Sequence, residues 1–217
     1  PRKRFGQNFL HDPVVIDKII QAIRPLPSDS LVEIGPGQGA ITYPLLRAAG
    51  RLTFVELDRD LVEPLQENAA GFGELIVHNA DALSFNFCDL NGKERLRVIG
   101  NLPYNISTPL LFHLLDQHNC IRDMHFMLQK EVVDRMAASP GNGQYGRLSV
   151  MLQYRCRVTP LFTIGPGAFK PPPKVASAFV RLEPWREPPV QLSNEALFAT
   201  VVKQAFSQRR KTLRNTL

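Results

Sequence analysis

A chain of 217 residues can build one substantial core and the beginning of a second unit. Lys+Arg 26 against Asp+Glu 20 gives +6 at pH 7 and a pI near 9.5, a balance that favours a polyanionic partner without requiring one. No stretch of ~18 apolar residues and no charged, apolar, small-residue leader pattern occurs, and three scattered cysteines, Cys88, Cys120 and Cys156, suggest neither a disulfide framework nor a zinc site. The expectation is a soluble, cytoplasmic, monomeric protein with no membrane role, unpaired thiols and trimmed ends at Pro1.

In chain order, Asp12-Pro13 is a helix start, and Val15, Ile16, Ile19, Ile20 and Ile23 recur at helical spacing until Pro25. Leu31 to Ile34 reads as a short buried strand running into Gly35-Pro36-Gly37-Gln38-Gly39, after which Ile41, Leu45 and Leu46 mark a helix ended at Gly50. Leu52 to Leu57 reads as a strand, Asp60 to Asn68 as a helix, Leu75 to His78 and Leu96 to Gly100 as further strands. Strand and helix alternate, so a parallel sheet is expected. Ser107 to Asp116 reads as helix, Met124 to Leu128 as strand, and Lys130 to Ala138 as helix before a glycine-rich loop, Ser139 to Gly146, that suits a substrate flap and a plain solvent loop equally. Phe179, Val180 and Leu182 mark a last strand, Glu183 to Pro189 a linker, and one more helix precedes a basic tail. We therefore place a first domain over 1–188 and the start of a second over 189–217.

The glycine segment has a physical logic, because glycines let the backbone turn tightly and approach a ligand at a helix start. Its spacing differs from the dinucleotide GxGxxG pattern. Glu56 ends the next strand about 20 residues on, where a carboxylate can accept from two ribose hydroxyls. Asp81 can accept from an adenine amino group, with Ala82 packing beside it, or can simply cap a turn. These residues suit a nucleoside lying across the carboxyl edge of a sheet, and either NAD or S-adenosylmethionine meets that description.

Asn101-Leu102-Pro103-Tyr104 separates the two. An adenine exocyclic nitrogen is a poor nucleophile, since its lone pair is delocalised into the ring. An enzyme that methylates it must accept both N–H hydrogens and leave the lone pair free. The side-chain oxygen of Asn101 and a main-chain carbonyl at Leu102 or Pro103 can do so, while Tyr104 offers a face for the base. Hydride transfer has no use for such a shelf. No strong base is needed beforehand, because the amine loses its proton after attack. The five histidines lack metal-ligand spacing, so no metal is expected.

Four segments in order, Phe5 to Leu10, Glu33 to Gly39, Asn101 to Tyr104 and Phe169-Lys170-Pro171-Pro172-Pro173-Lys174-Val175, resemble the motifs of the KsgA-type ribosomal RNA adenine dimethyltransferases, over essentially the whole chain. The resemblance implies an α/β, Rossmann-like seven-stranded methyltransferase sheet with the beginning of a C-terminal helical domain. It implies S-adenosyl-L-methionine held by Asn8, Leu10, Gly35, Gly37, Glu56, Leu57, Asp81, Ala82 and Asn101. It implies a reaction that places two methyl groups on N6 of each of two adjacent adenosines near the 3′ end of small-subunit rRNA, late in subunit assembly. In that picture Phe169 and Tyr104 sandwich a flipped-out adenine; from the residues alone, Phe169 also reads as core packing ahead of a proline run.

Family members carry a longer helical C-terminal domain that grips RNA. Here no acidic residue occurs from Ala196 to Leu217, whereas Lys203, Arg209, Arg210, Lys211 and Arg214 do. Those cations, with Lys170 and with Arg2, Lys3 and Arg4 at the other end, are candidate phosphate contacts. Two alternatives share the catalytic motif: a large-subunit rRNA adenine dimethylase of the antibiotic-resistance type, and a mainly non-catalytic assembly or transcription factor descended from the same family.

Overall fold

The computed structural model describes residues 8–90, 92, 94–208 and 214. A two-residue strand, β1 (Phe9–Leu10), leads to α1 (Pro13–Ile23). Asp12 caps that helix by accepting from the N–H groups of Val14 and Val15 at 2.9 and 3.2 Å, and Pro13 sits where a missing N–H is harmless. There follow β2 (Ser30–Ile34), α2 (Thr42–Ala49), β3 (Arg51–Glu56), α3 (Arg59–Asn68), β4 (Glu74–Asn79), β5 (Leu96–Asn101), α4 (Ser107–Asp116) and β6 (Ile121–Gln129). The chain continues through α5 (Lys130–Ala137), α6 (Arg147–Arg155), β7 (Cys156–Ile164), β8 (Phe169–Lys170), β9 (Ser177–Pro184) and α7 (Glu195–Ala205). None of the helices among the described residues is long and apolar enough to cross a membrane.

Seven strands form one sheet in the order β4-β3-β2-β5-β6-β9-β7, and β1 pairs with β8 in a separate ribbon. The expectation of a parallel sheet holds from β4 to β6 and fails beyond it, where β9 runs antiparallel to both β6 and β7. The reason is the connection. The parallel strands are joined by crossovers, through α2, α3 and α4 and, into β5, through residues 80–95, whereas residues 165–176 turn the chain from β7 straight back alongside it as β9. α6 and β7 were not read from the sequence. β7 is an edge strand interrupted by Pro160, with its register shifting between Pro160 and Phe162, and its alternation of buried and exposed residues is correspondingly weak.

Each sheet face is covered by its own apolar cluster. Val98, Leu111, Phe126 and Leu152 belong to one, and Ile19, Leu45, Ile99 and Phe179 to the other. Val98 and Ile99 are adjacent on β5 and point to opposite faces, as a strand with helices on both sides requires. The thiol expectation is half corrected. Cys88, in the turn Phe87–Leu90, and Cys120, at the end of the turn His118–Cys120, form a disulfide, while Cys156 is a buried free thiol whose pKa burial pushes up to about 12. The pairing was hidden because 32 residues separate the two; α4 carries the second turn back beside the first, where Gln117 Oε1 accepts from Phe87 N at 2.6 Å.

α7 is fastened to the end of α6. Glu195 accepts from Tyr154 Oη at 3.1 Å and from Arg155 at 2.6 Å, and the Tyr154 and Phe198 rings pack at 5.2 Å. Arg2, Lys3, Arg4, Arg209, Arg210 and Lys211 lie outside the described residues. Lys170, Lys203 and Arg214 are exposed.

Candidate active site

β2, β3, β4 and β5 end on the same edge of the sheet, and the strand order reverses between β2 and β5. That reversal splays the following connections apart and opens a crevice. A cavity of about 360 Å³ occupies it, a size suited to a nucleoside-sized ligand. Every residue expected from the sequence to hold the cofactor lines it.

Gly35 and Gly37 form the floor of the crevice with φ of 64° and 59°, and Gly35 N donates to Val55 O at 3.0 Å, which ties the loop to β3. A Cβ on Gly37 would meet the Phe9 ring at 3.2 Å, so the left-handed turn and the close approach of β1 both favour glycine there. Asn8 and Leu10 close the cavity from the β1 side. Across from them, Glu56 is 5% exposed at the end of β3, and its Oε1 accepts from Asp58 N at 2.8 Å. Burial pushes the Glu56 pKa up, and the Asp58 and Leu57 N–H groups oppose the shift. The next residue, Leu57, is 53% exposed, an apolar ledge on the cavity wall that protein does not cover.

Asp81 follows β4, with Ala82 buried beside it. Its Oδ1 accepts from Leu83 N at 2.9 Å, so the turn-capping role read from the sequence is present in the same side chain that faces the cavity. Asn79 holds this end of β4 against β3 by donating to the Glu56 carbonyl at 2.8 Å.

Asn101 ends β5, and its Nδ2 donates to the Asn8 carbonyl at 3.1 Å. That bond fixes the amide orientation and leaves Oδ1 as the free acceptor. Leu102 is 1% exposed, with its N–H on Met127 O at 3.2 Å; its side chain belongs to the core, and the residue also lines the crevice. The Pro103 carbonyl accepts from Ile106 N at 3.1 Å to close the turn. Tyr104 lines the cavity, with its hydroxyl 2.7 Å from Ser177 Oγ.

Phe169 stands apart. It is 2% exposed, pairs with Leu10 across the β1–β8 ribbon, and packs in the cluster of Ile164 and Phe179 rather than on the cavity lining. The core-packing alternative describes this arrangement. The reason is the ribbon, whose register turns the Phe169 ring inward with Leu10 and leaves Lys170 exposed.

A second buried acid of the site received no role from the sequence. Glu33 on β2 is 2% exposed, its Oε2 has no hydrogen-bond partner, and burial, opposed by neighbouring Thr42, pushes its pKa up to about 7. The signal was available, because it is the one acidic residue in the otherwise apolar run Leu31 to Ile34.

Residues 1–217 match the family described as ribosomal RNA adenine dimethylase. Ribosomal RNA small subunit methyltransferase A of Pseudomonas syringae pv. tomato is 60% identical over 217 residues, all of this chain and 81% of the relative. Among solved structures, a dimethyladenosine transferase from Plasmodium falciparum is 32% identical with a TM-score of 0.83, over 96% of this chain and 74% of that one. The 23S rRNA methyltransferase ErmE is 26% identical with a TM-score of 0.80, over 96% of this chain and 83% of that one. With a Rossmann-like methyltransferase fold and a full-length family match, the chain belongs to the ribosomal RNA adenine dimethylase family.

Proposed function

We propose that this chain is an S-adenosylmethionine-dependent enzyme that dimethylates N6 of two adjacent adenosines near the 3′ end of small-subunit rRNA during late subunit assembly. One observation carries the chemistry: the Asn101 amide, with its NH2 donating to Asn8 and its oxygen left as an unused acceptor, lines the same crevice as Tyr104. The 60% identical relative, named for the small subunit, supports the choice of substrate.

The donor set fits the cofactor. A buried carboxylate at Glu56 suits a ribose diol, the Leu57 ledge suits an adenine face, and the Gly35–Gly37 turn removes the side chains that would block a close approach. Bound there, S-adenosylmethionine supplies a methyl group activated by a sulfonium. Asn101 Oδ1 accepts one N–H of the target amine. The Leu102 carbonyl is the better second acceptor, since the Pro103 carbonyl already closes the turn to Ile106. Two acceptors draw the amine toward pyramidal geometry, and alignment within a closed crevice supplies most of the acceleration. Tyr104 receives the flipped base on its face. The exposed Lys170 and the basic segments Arg2 to Arg4 and Arg209 to Lys211 contact phosphates in this reading, and residues 189–217 begin a helical second domain.

The test is nucleoside mass spectrometry of unmethylated small subunits after incubation with the protein and S-adenosylmethionine, with large-subunit RNA in parallel. Dimethyladenosine in the small-subunit RNA is expected. Product confined to large-subunit RNA would transfer the proposal to the resistance-type activity, and no product despite measured cofactor binding would leave a binding role.

A further inference from the structure

We infer that Ser177 is a positioning residue for base stacking, acting through the hydroxyl of Tyr104; this rests on the proposed function. Ser177 opens β9 and is held from both sides, in register with Gln129 of β6 and with Ile164 of β7. The preceding Ala176 carbonyl accepts from Lys130 N at 2.9 Å, which fixes the point where the chain enters the sheet. Its side chain is 0% exposed and is followed by Ala178, Phe179 and Val180, a run in which alanine or valine is the ordinary choice. A hydroxyl shut away from water in such a place needs a partner. Its partner is the phenol of Tyr104, at 2.7 Å.

Tyr104 by contrast stands on a turn. Between β5 and α4 its backbone is tied locally, by Ile106 N to Pro103 O at 3.1 Å and by Ser107 Oγ to the Tyr104 carbonyl at 3.2 Å. Those bonds fix the root of the side chain and leave the ring free to rock. The bond to Ser177 fixes its tip, and a ring held at both ends keeps one long axis. The base then meets an ordered surface, and the rotamer ordering that would otherwise accompany stacking is already complete. Ser177 touches neither base nor methyl donor in this account.

The experiment combines kinetics with a spectroscopic readout. Ser177→Ala and Tyr104→Phe each delete the same hydrogen bond from opposite ends, keep the packing, and should each lower kcat on small subunits about tenfold with S-adenosylmethionine affinity unchanged. The double variant should be no worse than either single one, since both remove one interaction. In protein labelled with 3-fluorotyrosine, four tyrosines give the fluorine spectrum, and Tyr104→Phe identifies the Tyr104 signal by its loss. Ser177→Ala should move that signal and leave the others in place. An unmoved Tyr104 signal, wild-type kcat in Ser177→Ala, or additive losses in the double variant would each overturn the inference. Should Ser177→Ala fail to fold, Tyr104→Phe alone decides it by its kcat. Wild-type protein that makes no dimethyladenosine would overturn the functional reading and the stacking role with it, while the fluorine spectrum would still pass or fail the restraint on the ring.

Discussion

One strand, β5, carries two polar side chains to opposite edges of the sheet, and their surroundings could hardly differ more. Near its start Arg97, 4% exposed, is saturated: Nε meets both Asp123 oxygens at 3.0 and 3.1 Å, one terminal nitrogen meets Asp29 at 2.7 Å, and the other donates to the Ile23 carbonyl at the end of α1 at 2.8 Å. Arg122 completes the set on Asp29 Oδ1 at 3.0 Å, so two buried acids face two guanidinium groups. At its end Asn101 spends a donor on Asn8 and keeps its acceptor, on the wall of a cavity that Glu33 and the exposed Leu57 side chain also line. A polar group that the fold satisfies is holding the fold together. One whose acceptor the fold leaves unused on a cavity wall, as at Asn101, is available to a ligand.

The contrast can be broken at either edge. Arg97→Ala leaves Asp29 and Asp123 buried without their shared cation and should destabilise the protein by about 3–5 kcal/mol, with little change in the cavity. A chemical denaturation curve checks it, and a loss under 1 kcal/mol would mean water or Arg122 takes over. Asn101→Ala should do the reverse, lowering methyl transfer about 100-fold or more while the melting temperature stays near that of the wild type. Turnover close to normal in that variant would remove Asn101 from the mechanism.

Glu33 sharpens the comparison through pH. Its proton is held up to about pH 7 in the folded chain and is released near 4.5 when unfolded. Below 4.5 both states are protonated and the contribution is whole; as pH rises through 7 it is lost. The wild type should therefore lose up to about 3 kcal/mol relative to Glu33→Gln between pH 4.5 and 8. Parallel stability curves for the two proteins would mean that Glu33 has an ionic partner. The smallest effect is at Glu56→Ala, which should weaken S-adenosylmethionine binding by about 1–3 kcal/mol in calorimetry and leave stability nearly unchanged. Unaltered affinity would remove Glu56 from the ribose.

The amino acid sequence by itself determined the elements whose signals are local. The Asp12-Pro13 cap, the apolar runs of β2 and β5, the glycine turn after β2 and the acids and amide at strand ends all act within a few residues, and all appear where expected. The parallel half of the sheet followed, because alternating strands and helices admit few other arrangements. Four features were decided only in three dimensions. The antiparallel β9 depends on a direct return from its neighbour β7, and the Cys88–Cys120 pair on α4 bringing the turn that follows it beside Phe87–Leu90. The inward Phe169 depends on a two-residue ribbon with β1, and the hydrogen bond between Tyr104 and Ser177 on a sheet order that sets residues 73 positions apart side by side. Period and propensity report what a segment prefers, whereas these contacts arise from which segments the closed sheet brings together.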